Sequence, residues 1–183
     1  MVIPVKLRRP ARRALLVVHV ITSAGWLGLA LGLLALGVTA VTTGSPVVTE
    51  ASYRSMKVFT DWLIAPISLL TLLTGLVLSL GTPWGLAQHR WVFIKFWMTL
   101  VTTGLSIFAL RPEITNAVGH AIAGGAIPEQ YALISAPSVS LSAYTFMTVI
   151  SVLKPWGLTK HGQRVRDRAR RRPMDTKALR STA

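Results

Sequence analysis

Residues 14–38 read ALLVVHVITSAGWLGLALGLLALGV and contain no charged side chain. A hydrocarbon core about 30 Å thick is crossed by about 20 helical residues, so this stretch alone is long enough to span one. Three more stretches match it, at 58–80, 91–110 and 132–153. Their apolar runs are continuous rather than alternating, which favours helices. A lone sheet would also leave its edges unpaired in lipid. The expected fold is therefore all-α, a polytopic membrane four-helix bundle. The connections carry turn residues: Gly44, Ser45 and Pro46 within 42–57, Pro83 and Gly85 within 81–90, Gly124 and Gly125 within 111–131.

Charge is segregated in the same pattern. The chain holds 183 residues, 20 Lys+Arg and 6 Asp+Glu, for a formal net charge of +14. Only Asp61 and Lys95 of these fall inside the four stretches. A composition of 51% hydrophobic residues with basic ends is not that of an ordinary cytosolic enzyme. No cysteine is present, which excludes disulfides, thiolate metal sites, c-type haem attachment and cysteine nucleophiles.

Counting basic residues on alternate sides fixes an expected orientation. Both tails and the 81–90 connection hold nearly all of them, against Arg54, Lys57 and Arg111 on the other side. By the positive-inside rule both termini are cytoplasmic, in a multi-pass protein of a bacterial inner (cell) membrane. Residues 1–13 then form a basic cytoplasmic N-terminal tail, 14–153 the four-transmembrane-helix domain and 154–183 a basic tail expected to be disordered. A cleaved signal peptide is the competing reading of the N-terminus, but the apolar run of 14–38 exceeds the usual 7 to 15 residues. The C-terminal tail serves as a topology determinant or contacts anionic lipids. It lacks aromatic stacking residues after Trp156, so nucleic acid is not an expected partner. A homo-oligomer or another membrane protein is a further expected partner besides the lipid bilayer. Trp84, Trp91 and Trp156 suit interfacial anchoring, and Ala24, Gly28 and Gly32 form a small-residue ridge suited to close helix packing.

Ionisable groups inside a bilayer are costly and call for a partner or a role. Asp61 has a local partner in Lys57, four residues earlier on the same helix face. His19 and Lys95 stand at matching depth, five and four residues past the starts of parallel spans, roughly 6 to 8 Å below the boundary at 1.5 Å per residue. They can face one cavity, with Trp26, seven residues beyond His19, capping it from within. The alternatives are that Lys95 snorkels to the interface and that His19 bonds a neighbouring helix. A neutral imidazole is an axial ligand for haem iron, and a nearby cation neutralises a propionate. The candidate cofactor is thus haem b or a porphyrin, with His19 the metal ligand. His89 at the membrane edge, His120 in the 111–131 connection and His161 in the tail do not offer an obvious second ligand.

The run His19-Val20-Ile21-Thr22-Ser23-Ala24-Gly25-Trp26-Leu27-Gly28-Leu29 resembles the first helix of a broad bacterial group. That group includes HemJ-type protoporphyrinogen oxidases and CopD-type copper-resistance membrane proteins. Pro66 followed by Leu72-Leu73-Thr74-Gly75-Leu76, Trp91 with Lys95, and Lys154-Pro155-Trp156 match in the same order. Within the group the chain is most similar to an actinobacterial-type four-helix integral membrane family, domain of unknown function 2269. The HemJ resemblance implies haem binding through the helix-one His and helix-three Lys, which match His19 and Lys95. The aromatic-His elements that follow helix one and sit within helix three in HemJ-type proteins are absent, since 35–41 and 101–110 contain no His, so the resemblance does not carry over protoporphyrinogen oxidation. The CopD resemblance implies a copper or small-solute transporter, for which only Met98 and Met147 lie inside the spans as soft ligands. A non-catalytic scaffold is the third expectation, and the sequence leaves open whether the protein is an enzyme.

Overall fold

A computed structural model describes residues 7–81, 86 and 88–167. Four helices are long and apolar enough to cross a membrane: α1, Arg9–Thr42; α2, Pro46–Gly81; α3, Arg90–Ile122; and α4, Ala132–Leu153. The fold is therefore all-helical and multi-pass. Helix α1 packs between α2 and α4, while α3 closes the ring against both. The Leu7 N–H donates to the Gly81 carbonyl (3.4 Å) and the Arg90 N–H to that of Gly157 (3.5 Å). The start of α1, the end of α2, the start of α3 and the segment after α4 thus share one end of the bundle, the end that carries the basic tails.

Helices α1, α2 and α3 have 34, 36 and 33 residues, about 50 Å each at 1.5 Å per residue. That exceeds a hydrocarbon core of about 30 Å. The connections 42–57 and 111–131, expected as loops, are instead largely helical over 46–58 and 111–122. Pro46 does not break a helix but occupies the first turn of one, where its missing N–H is no loss. His120 accordingly sits in the last turn of α3 rather than in a loop. Tyr53, Met56, Ile114, Ala117 and Val118 from these extensions join Leu33, Ala40 and Leu133 in the larger apolar core.

Prolines shape all three later helices. A wide π-helical turn runs over Phe59–Ile64 in α2 and another over Ser106–Leu110 in α3. Each stands two residues ahead of a proline, Pro66 and Pro112. Proline cannot donate to the carbonyl four residues back and its ring crowds that oxygen, so a widened turn relieves the clash. The two turns pack on each other. Asp61, inside the first, accepts from Lys57 Nζ (2.7 Å) and from Arg111 Nε (2.8 Å), tying α2 to α3. Helix α4 keeps its α register around Pro137, and the Leu133 carbonyl that Pro137 cannot serve lies against Gly37 of α1. A Cβ on Gly37 would stand 2.7 Å from that oxygen. This is where the backbones approach closely. Of the expected ridge only Gly32 packs closely, a Cβ there standing 3.3 Å from the Phe59 ring of α2; Ala24 and Gly28 are exposed and Gly28 has nothing within 4 Å of a built Cβ.

Beyond α4 the chain does not at once become the expected disordered tail. Lys154 takes a left-handed conformation (φ 47°) and ends the helix. Leu158 then forms an antiparallel bridge with His89, the Thr159 N–H donates to the Gln88 carbonyl (2.8 Å), and residues 160–167 are helical. The remaining basic tail, 168–183, and residues 1–6 lie outside the described residues.

Candidate functional site

At the tail-bearing end, a cavity of about 230 Å³ opens among all four helices. Each helix contributes a face at helical spacing. Helix α1 supplies Arg12, Leu16 and His19; α2 supplies Thr71, Gly75 and Leu78; α3 supplies Trp91, Lys95 and Thr99; α4 supplies Ser151. His19 and Lys95, separated by 76 positions in sequence, therefore line one cavity.

The imidazole is held firmly. Its Nδ1 lies 3.1 Å from the Thr71 carbonyl oxygen and 3.0 Å from Thr74 Oγ1. Thr74 spends its own hydroxyl proton on the Leu70 carbonyl (2.6 Å). A carbonyl oxygen only accepts, so Nδ1 is the protonated nitrogen, and in the neutral ring Nε2 carries the free lone pair. Gly75 clears the space beside the ring: a Cβ there would meet His19 Cε1 at 3.0 Å. The bond to a neighbouring helix, weighed in the sequence as an alternative to a ligand role, thus exists and still leaves Nε2 available.

Lys95 Nζ donates to Ser151 Oγ (3.0 Å), joining α3 to α4. Thr99, one turn on, donates to the Lys95 carbonyl (2.8 Å). Lys95 is half-buried and faces the bundle rather than snorkelling outward. Thr71 has a second feature. The residue is only 6% exposed, it lines the cavity, and its Oγ1 has no hydrogen-bond partner among the described residues. A buried hydroxyl left this way costs free energy unless something meets it.

Trp26, expected to cap the same cavity, is placed elsewhere. It is 3% exposed and packs on Tyr144 of α4, with ring centroids 4.6 Å apart, in a cluster with Ala30 and Met147. It lines a separate void of about 10 Å³. The seven-residue spacing does keep Trp26 on roughly the face of His19. At the level of His19, however, that face meets α2, and two turns further in it meets α4.

Sequence reasoning missed Arg12, Ser151, Thr71 and Gly75. The spacing of Arg12, Leu16 and His19, at i, i+4 and i+7, is a signal that could have found the first of them. Among the described residues no group of three or more His, Cys, Asp or Glu is arranged to hold a metal ion. A bare metal ion would find only one imidazole in the cavity, whereas a metal already chelated by a macrocycle needs only one protein ligand.

No curated protein and no solved structure matches the chain. The comparisons give no relation to HemJ-type or CopD-type proteins. One family pattern does match, over residues 13–154, which takes in all four spans and their connections. The chain belongs to the family described as predicted integral membrane protein (DUF2269).

Proposed function

We propose that this membrane protein holds a tetrapyrrole, haem b or a porphyrin, in the cavity at the tail-bearing end, placed on the cytoplasmic side by its basic residues. His19 Nε2 would hold the metal of such a group and Lys95 would partner a propionate. The observation that carries the reading is the fixed imidazole. An N–H given to a backbone carbonyl sets tautomer and orientation in the way that metal-binding histidines are usually set. The residues present fit the group in kind: one imidazole lone pair, two cations and an apolar wall that includes Trp91 and Phe96. The cavity, at about 230 Å³, lies below the usual ligand range of about 300–1,000 Å³. The cavity is not fully enclosed, so it can admit part of a larger ring. A bound haem would supply one-electron redox chemistry, and the residues here would bind and orient it.

Copper passage is less favoured. Met98 and Met147, the soft donors within the spans, belong to the Trp26 cluster rather than the cavity wall. The test is the absorption spectrum of protein purified from haem-supplied cells. A Soret band that is lost or displaced in His19→Ala is the expected result. A colourless protein, or a band indifferent to that substitution, overturns the proposal.

A further inference from the structure

Among the described residues the cavity has positive charge and no negative charge to balance it. Arg12 and Lys95 both line it, and neither takes part in an ion pair among the described residues. The six acids of the chain are Glu50, Asp61, Glu113, Glu129, Asp167 and Asp175. Of the five among the described residues none lines the cavity, Glu50 is paired with Arg54, and Asp61 is engaged with Lys57 and Arg111 at the far end. Ser151 gives Lys95 a neutral oxygen and no counter-charge. In a bilayer an uncompensated ammonium is expensive and marks a place where an anion is received. The remaining wall is apolar, with Leu16, Leu72, Leu76, Val92 and Phe96.

We infer that the cavity is a site for an acid-headed amphiphile, its carboxylate or phosphate recognised jointly by Lys95 and Arg12 and its body held by the leucine-rich wall. Arg12 lies seven residues, about 10 Å along α1, closer to the tail-bearing surface than His19. The two cations therefore mark an entrance and an interior. This inference shares its cavity with the tetrapyrrole reading but rests on the charges, not on the imidazole. Propionates of a tetrapyrrole and the acid group of a lipid are two sources of the same chemistry.

The experiment uses the full chain in nanodiscs of zwitterionic phosphatidylcholine, which carries no net charge, and two matched probe pairs. One pair is cis-parinaric acid and its methyl ester, read by fluorescence. The other is iron protoporphyrin IX and its dimethyl ester, read by absorption. At least one free acid should bind saturably and about tenfold or more tighter than its ester, the size expected for a charge-assisted contact. Lys95→Gln and Arg12→Gln should each weaken acid binding more than ester binding and so abolish most of that preference, and Lys95→Arg should restore it in a protein that shows the same elution profile. If neither pair shows an acid preference, or if it survives both neutral variants, the inference is overturned. Acid preference for parinarate without a His19-dependent haem spectrum supports the inference, assigns the acid to a lipid and defeats the tetrapyrrole reading. Haem and its diester binding alike through His19, with parinarate blind to charge, does the reverse.

Discussion

His19 of α1 and Gly75 of α2 are in such close contact that a Cβ on the glycine would stand 3.0 Å from Cε1 of the imidazole. Gly75→Ala should therefore tilt the ring away from the Thr71 carbonyl that holds Nδ1. Loss of a positioning partner of this kind lowers metal affinity by about 10- to 100-fold. Haem titration of the variant should show a drop of about that order, with thermal stability close to that of the parent.

Gly37 meets backbone rather than a side chain, and backbone cannot step aside as cheaply. With the Leu133 oxygen only 2.7 Å from a built Cβ, Gly37→Ala should separate α1 from α4 and cost about 1–3 kcal/mol. Gly28→Ala, with nothing within 4 Å, should be neutral or stabilising by helix propensity, by up to about 1 kcal/mol. Melting temperatures of the two variants in one detergent compare them directly.

Tyr53 is fully buried (0% exposed) in the larger apolar core, and its hydroxyl has no hydrogen-bond partner among the described residues. Removing an unsatisfied buried hydroxyl while keeping the ring should leave stability unchanged or raise it by about 1 kcal/mol. Tyr53→Phe tests this by thermal melting. A loss larger than about 1 kcal/mol would mean that the hydroxyl is bonded after all. Tyr53→Ala should cost about 3–5 kcal/mol, as for other large core truncations.

The spans were legible in the sequence because a bilayer demands a long uninterrupted apolar run, and residues 14–38 supply one without a charge. The pairing of His19 with Lys95 in one cavity followed from a depth argument that needs only the helical rise. The helical extensions were not legible. Glycine and proline near residues 44–46 mark a turn, but they do not say whether the chain after Pro46 resumes as a helix. The π turns were also hidden, since a proline announces a disturbance without specifying whether the helix breaks, kinks or widens. Trp26 was misplaced for a different reason. Residues seven apart share a face of their own helix, but which neighbour that face meets depends on how the helices cross.

Asp61 ties α2 to α3 through two cations that are themselves partly exposed, with side-chain exposures of 36% for Lys57 and 53% for Arg111. Exposed pairs contribute about 0.2–1 kcal/mol each, so Asp61→Asn should lower stability only modestly. A double-mutant cycle on Asp61 and Arg111 should give a coupling of about that size, weakening as salt is raised. A null coupling would mean that the packing of the two π turns alone holds the helices at that level.

The segment after α4 offers a covalent test of the tail-bearing end. His89 and Leu158 are partners in an antiparallel bridge, and bridged residues have Cα atoms about 4.5–5.5 Å apart. That separation falls within the range of about 4.4–6.8 Å that a disulfide accepts. Because the chain has no cysteine of its own, the double variant His89→Cys with Leu158→Cys creates a single possible intramolecular pair. On mild oxidation it should form an intramolecular disulfide, visible as a faster-migrating band that returns to the parent position on reduction. His89→Cys combined with Val152→Cys, which places the second thiol on the exposed face of α4, should not. Equal yields from both pairs would mean that residues 158 and 89 are not held together.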